Sequence, residues 1–247
     1  MNAPNRLIAL NGAHNVRDLG GYPTVSGATT RWRAVLRGDA PHRLDADDRA
    51  RLIAAGLTTV IDLRGPAERA AAPSIFAHDD AVAHHAIALF SALDPVQAFA
   101  AADPDGFDMG RRYCAALDRC QEGFAHVLRT IADAPDGMIL VHCTAGKDRT
   151  GLVVALLLAA AGVADADIIE DYALTGSLAP GLIAELRARA LALGTEPDLA
   201  ERVLSSTPDN MARLLAHLVG AHGGVDAYLN AVGLSAAERA RLAARLV

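Results

Sequence analysis

The apolar positions of this chain change period along its length, and the changes mark its elements. Thr58 to Leu63 and Met138 to Val141 are short apolar runs without alternation, as expected of strands buried on both faces. Ala81 to Leu89 reads as a further strand, diluted by alanines. Asp45 opens a helix that runs through Ala55, and Gly110 to Ala132 reads as one long helix. Short strands and turns are expected from Tyr22 to Gly38, where Ser26-Gly27 is a turn signal. From Arg149 onward the period is helical almost to the end. There Thr207-Pro208 is an N-cap followed by proline at the first helical position, and Ser235-x-x-Glu238 is a capping box. Strands alternating with helices predict an α/β fold. Its central sheet is expected to be mainly parallel and flanked by helices, with a helix-rich C-terminal half.

The longest apolar stretch, Gly151 to Ala164, is too short to cross a bilayer and is flanked by charges, so it reads as a buried helix. Met1 to Leu10 lacks the apolar core of a signal peptide. No linker, repeat or low-complexity run interrupts the chain, and residues 1–247 are expected to form a single domain, with about 14 N-terminal residues loosely ordered. Hydrophobic residues make up 52% of the chain but aromatics only 4%, so the core must be aliphatic. A net charge of −6, from 23 Lys and Arg against 29 Asp and Glu, argues against a nucleic-acid surface. Any attraction for phosphate must then be local. Cys114, Cys120 and Cys143 make no disulfide framework. The first two, six apart in the expected helix, point to different faces, so neither a pair nor a metal site is expected, and no cofactor is implied. The reading is a soluble, cytoplasmic protein without a membrane span.

Chemistry concentrates in His142-Cys143-Thr144-Ala145-Gly146-Lys147-Asp148-Arg149-Thr150, between the apolar run ending at Val141 and the one starting at Gly151. That context predicts strand, tight loop and helix N-terminus. The first backbone N–H groups of a helix lack intrahelical partners and converge where the helix dipole adds positive charge, so the place binds anions. Gly146 permits a sharp turn and close approach of the backbone. The planar fork of Arg149 suits two phosphoryl oxygens and stays charged. Cys143 would face the bottom of the same cradle. A free thiol with a pKa of about 8.5 needs about 4 kcal/mol of preferential thiolate stabilisation to fall by roughly three units. A helix dipole supplies about 0.3–2 kcal/mol, so several N–H groups and the guanidinium must act together. A buried cysteine is more often an inert hydrophobe. The full pattern of His-Cys-x-x-Gly-x-x-Arg-Ser/Thr at a strand–helix junction is far more specific.

This loop resembles the signature of the protein tyrosine phosphatase superfamily, and Ala145-Gly146-Lys147-Asp148-Arg149 resembles its bacterial atypical branch of the PtpB type, with tyrosine and phosphoinositide activity. Further similarity lies in Asn15-Val16-Arg17-Asp18-Leu19-Gly20-Gly21-Tyr22 and in Val60-Ile61-Asp62-Leu63-Arg64 with Glu68. Asp171-Tyr172, Tyr228-Leu229 and Val232-Gly233-Leu234-Ser235 extend it to the end of the chain. The chain departs from the pattern at Leu36-Arg37-Gly38, where an aromatic-Arg-Ser is common, and at Ala173-Leu174-Thr175-Gly176. Both departures lie outside the loop and bear on substrate preference more than on chemistry.

The resemblance implies a phosphatase-like fold in which Cys143 is the nucleophile forming a phosphocysteine and Arg149 is the phosphate clamp. Thr144, Ala145, Gly146 and Lys147 would bind the substrate phosphate. Thr150 either donates its hydroxyl to the sulfur or makes a helix-terminus hydrogen bond. His142 either fixes the loop or transfers protons. The general acid is Asp148, as the resemblance implies, or Asp62, which could instead simply pair with Arg64. Lys147 is either a contact for a second phosphate or a solvated surface lysine. Two stretches are candidate lids, Ser91 to Met109 and the helical segment from Leu178 to Leu204, and ordinary packing is the alternative for both. Expected partners are a phosphotyrosyl protein or a phosphoinositide as substrate and inorganic phosphate as product. A rhodanese-like sulfurtransferase also places a loop cysteine at a helix N-terminus, but it fits the Arg149-Thr150 spacing poorly. A phosphate-binding module without catalysis would have no need of the cysteine.

Overall fold

The computed structural model describes residues 6–93, 96–102 and 106–247. Among them, β1 (Arg17–Asp18), β2 (Val35–Gly38), β3 (Leu57–Asp62), β4 (Ala83–Ala86) and β5 (Met138–His142) form one sheet in the order β1-β2-β5-β3-β4. Only the β1–β2 pair is antiparallel. α1 (Ala46–Ala54) precedes β3, α2 (Pro66–Ala71) follows it, and α3 (Val96–Ala102), α4 (Met109–Arg119) and α5 (Gln121–Asp133) lead into β5. The remainder is helical: α6 (Asp148–Ala160), α7 (Asp165–Leu178), α8 (Pro180–Ala192), α9 (Pro197–Leu204), α10 (Pro208–His222), α11 (Val225–Ala231) and α12 (Ala236–Leu246). The α/β class, the mainly parallel sheet and the helix-rich C-terminal half are as expected.

The central strands read as unbroken apolar runs because both faces of the sheet are covered. Along β5, Ile139 and Val141 join the larger core with α4, α5, α6 and α10, while Met138 and Leu140 join a second core with Leu52 of α1, Leu57, Val60 and Phe76. Successive side chains of a strand point to opposite faces, so neither face leaves a polar stripe. α6 is buried from Thr150 to Leu158. That all-round burial explains an apolar stretch with no polar face.

Three expectations need correction. The helix expected from Gly110 to Ala132 is two, because Cys120 leaves helical geometry at φ −104° and ψ 27° and caps both α4 and α5. The strand expected from Ala81 to Leu89 narrows to four partly exposed residues at the sheet edge. The N-terminal segment is paired from Arg6 onward: Ile8 N–H donates to Val16 at 2.9 Å, and Asp18 N–H to the Arg6 carbonyl at 3.0 Å. Residues 1–5 lie outside the described residues, as do residues 94–95 and 103–105 of the first candidate lid. Asp45 caps α1, and both halves of the Ser235–Glu238 capping box are made. Among the described residues, no helix is long and apolar enough to cross a membrane.

Candidate active site

The loop between β5 and α6 begins at Cys143 and ends where Asp148 opens the helix. It is held from behind by a buried polar network. Asn15 donates its amide to the Ala145 carbonyl at 2.8 Å, and Arg37 donates to the Gly146 carbonyl at 2.6 Å. A peptide unit is planar and trans, so pinning these two carbonyls backward turns the N–H groups of Gly146 and Lys147 the other way, into the cradle. Asp171, on α7, binds both arginines that organise the network. It accepts from Arg17 Nε at 3.1 Å and from Arg37, and Arg17 in turn holds Asn15. All three charged groups are buried. Burial opposes ionisation of Asp171, yet Arg17 and Arg37 hold its carboxyl down at about 2.

Gly146 carries the turn. Its φ is +66°, and an added Cβ would lie 2.4 Å from the Gly38 carbonyl carbon and 2.7 Å from the Asp39 nitrogen. Both are backbone atoms that cannot swing aside. The departure at Leu36-Arg37-Gly38 therefore lies directly behind the loop, and Thr175 from the second departure accepts from Asn15 at 3.4 Å. Gly146→Ala combines left-handed strain of about 1–3 kcal/mol with this overlap. It is expected to lower the melting temperature by about 2–12 °C and to weaken inorganic phosphate binding, measured by thermal scans and calorimetric titration.

The sequence-nominated residues fall into distinct places. Cys143 is buried at the head of the loop. Arg149 makes a two-pronged pair with Glu68, at 2.6 and 2.8 Å. Glu68 also accepts from Thr144 Oγ1 and from Gly65 N–H at 2.9 Å. Burial works against both charges. The hydrogen bonds of the pair overcome it, drawing Glu68 down to about 2 and raising Arg149. Asp148, at the first helical position, accepts from Tyr113 Oη, which lies 2.8 Å from Tyr172 Oη. Burial first, and then the Asp148 charge, pushes Tyr113 far above the usual phenol range, so it stays a hydrogen donor. Thr150 Oγ1 is buried without a hydrogen-bond partner, so the helix-terminus bond considered for it is not made.

Lys147 is not a surface lysine. Its side chain is 1% exposed, and Nζ reaches Val203 O at 2.5 Å, Ser205 O at 2.8 Å and Asp148 Oδ1 at 3.1 Å. An ammonium has three donors, so this arrangement leaves none for a second phosphate. The lysine ties the loop to the end of α9.

Asp62 is fully buried against Arg64, which donates Nε at 2.9 Å and Nη2 at 2.7 Å. Burial would raise its carboxyl, but the Arg64 bonds and the nearby His142 keep it below the usual range. His142 sits beside it in the sheet with Nδ1 3.2 Å from the Cys143 carbonyl. Burial lowers its imidazole to about 4, against the pull of Asp62, so the ring is neutral near pH 7.

A cavity of about 470 Å³ opens beside Thr144 and Glu68. Leu182 and Leu186 of α8, Val203 and Leu204 of α9, and Ala71 at the end of α2 supply apolar walls. Val96 of α3 reaches it too. The candidate cover from Leu178 to Leu204 thus forms one side of this cavity.

Glu68, Tyr113, Asn15, Arg17, Arg37 and Asp171 were assigned no role from the sequence. Glu68 stands three residues after Gly65, as the third residue of a helix start, and that spacing signals only a cap. No sequence signal links Tyr113 to Asp148.

The sequence model of the tyrosine phosphatase family matches residues 8–247. A tyrosine-protein phosphatase of Nostoc commune is 34% identical over 211 residues, covering 83% of this chain and 71% of its own. A relative from Cupriavidus necator is 31% identical over 227 residues, 90% of this chain and 82% of its own. The triple specificity protein phosphatase PtpB of Mycobacterium tuberculosis is 32% identical over 110 residues, 40% of each chain.

Proposed function

The chain belongs to the tyrosine phosphatase family, and from that premise we propose that residues 1–247 act as one phosphatase domain that hydrolyses phosphotyrosyl proteins through a phosphocysteine on Cys143. The observation that carries the reading is the placement of Cys143 at the head of one loop and of Arg149 in the first turn of the helix after it, with the loop carbonyls between them drawn backward.

The Cys143 thiolate attacks phosphorus, and the bond from phosphorus to the aryl oxygen breaks. Loop N–H groups and Arg149 hold the phosphoryl oxygens, and Glu68 fixes the guanidinium plane. Asp148 gives its proton to the departing phenolate. Water then attacks the phosphocysteine, Asp148 takes a proton from that water, and the sulfur leaves as thiolate with inorganic phosphate. The unpartnered Thr150 hydroxyl is free to donate to that sulfur. Asp148 suits the acid better than Asp62, whose oxygens are engaged by Arg64 deep in the sheet. His142, neutral and bonded toward the Cys143 carbonyl, fits a supporting role. The apolar walls of the adjoining cavity suit an aryl ring or its neighbouring peptide side chains. No step calls for a cofactor, and the site of action proposed for the protein is the cytoplasm.

Phosphoinositide hydrolysis is the second reading, favoured by the similarity to a triple specificity phosphatase. Initial rates on a phosphotyrosyl peptide and on phosphoinositide vesicles separate the two. Faster release from the peptide is expected, and the reverse order makes the lipid the substrate class. Thiosulfate:cyanide transfer without phosphate release would replace both with a sulfurtransferase. Asp148→Asn is expected to slow phenyl phosphate by roughly 10²–10⁴-fold, the usual worth of a general acid. An aryl phosphate whose leaving group is a weak base should lose far less. Equal losses on both would move the acid elsewhere.

A further inference from the structure

We propose that Asp118, His217 and His222 form a binding site for a divalent transition-metal ion of the zinc type, bridging α4 and α10. His217 Nε2 lies 2.9 Å and His222 Nε2 2.8 Å from the same oxygen, Asp118 Oδ1. The three ligating atoms lie within 4.8 Å of one another. Two imidazoles and a carboxylate are a donor set that suits zinc and its neighbours. Zinc bonds of about 2.0–2.1 Å at tetrahedral angles set ligand atoms roughly 3.3 Å apart, so admitting the ion needs each histidine Nε2 to draw back from Asp118 Oδ1 by a few tenths of an ångström. A neutral imidazole supplies its Nε2 lone pair by moving its proton to Nδ1, with no net proton loss.

The rings are also oriented by their surroundings. His222 meets the Tyr228 ring edge-on at 5.0 Å, and Tyr228 Oη donates at 3.1 Å to the carbonyl of Leu117, the residue before Asp118. His217 meets His222 edge-on at 5.4 Å. Asp118 is 46% exposed, which leaves the remaining coordination position to water. The other convergent set among the described residues, Asp62, His84 and His142, lacks this freedom because Arg64 already occupies both Asp62 oxygens. Asp118 stands 99 and 104 positions before the two histidines, so no spacing motif joins the three. α4 also carries Tyr113, so a bound ion would brace the helix that holds Asp148.

The test is a zinc titration of the chelator-stripped full chain with Cys114 and Cys143 replaced by serine, so that the partly exposed thiol and the loop thiol do not compete. One saturable equivalent per chain is expected, read by competition with a metal indicator. A hundredfold excess over Kd should raise the melting temperature by about 5–10 °C. His217→Ala with His222→Ala, and separately Asp118→Asn, should weaken binding by more than roughly tenfold, since even outer-shell partners contribute that much. If the histidine variant does not fold, imidazole NMR of the parent decides: of the nine histidines, His217 and His222 should shift on zinc addition. No saturable binding, undiminished binding in the variants, or shifts confined to other histidines overturns the site.

Discussion

Cys143→Ser is expected to lower hydrolysis of an aryl phosphate by roughly 10⁴–10⁶-fold, the scale on which loss of a covalent nucleophile registers. Inorganic phosphate should still bind within severalfold of the parent affinity. The two outcomes belong together because the loop separates two tasks. In the proposed reaction, loop N–H groups and the guanidinium bind the anion, and the pair that Arg149 makes with Glu68 does not involve the atom at position 143. The nucleophile must be an anion, and a thiol is intrinsically far closer to that state than an aliphatic hydroxyl. Initial rates and phosphate titration of the same preparation check the pair. Retained turnover would remove Cys143 from the reaction, and lost phosphate binding would mean that the sulfur shapes the cradle as well as attacking.

The contrast between legible and illegible parts follows from how far each feature reaches along the chain. β5, the loop and α6 were legible because one uninterrupted stretch carries them, and burial on every side writes itself as continuous apolar sequence. The break at Cys120 was hidden for the opposite reason. Tyr113, Ala116, Leu117, Cys120, Phe124, Val127, Leu128 and Ile131 all enter one core at helical intervals, so the apolar period runs through the turn undisturbed. β4 was legible as a strand but not in its extent, because Ala83-His84-His85-Ala86 at the sheet edge is too polar and too exposed for its pattern to mark where it starts and stops.

In the site, Cys143, Gly146 and Arg149 declared themselves through local spacing. Glu68 and Tyr113 reach the loop from 81 and 35 positions away, which only the fold can arrange. Lys147 was unreadable for a further reason. Its partners at Val203 and Ser205 are backbone carbonyls, which any residue would have offered.

Asp171→Asn is expected to destabilise the protein by about 3–5 kcal/mol, the usual result of removing one partner of a buried ion pair. At this chain length that lowers the melting temperature by about 6–20 °C. Asparagine keeps the shape and one acceptor but removes the charge that Arg17 and Arg37 share. Two guanidinium groups are then left buried beside each other. Arg17 already has its pKa lowered to about 10, by burial and then by Arg37, with Asp171 opposing the fall. The pH profile gives a second reading. The folded Asp171 carboxyl lies near 2, below its ordinary value of 3.8. Its contribution is therefore complete above about pH 4 and lost as the pH falls from 4 toward 2. The parent should lose stability across that window more steeply than the variant, in denaturant melts taken at successive pH values. The loop should feel the change as well, because Arg37 and Arg17 with Asn15 pin the Gly146 and Ala145 carbonyls. Once that pinning slackens, the N–H groups lose their common aim, and KM for an aryl phosphate should rise even where the variant remains folded. A variant with parental stability and parental KM would show that the network behind the loop is not what holds it open to phosphate.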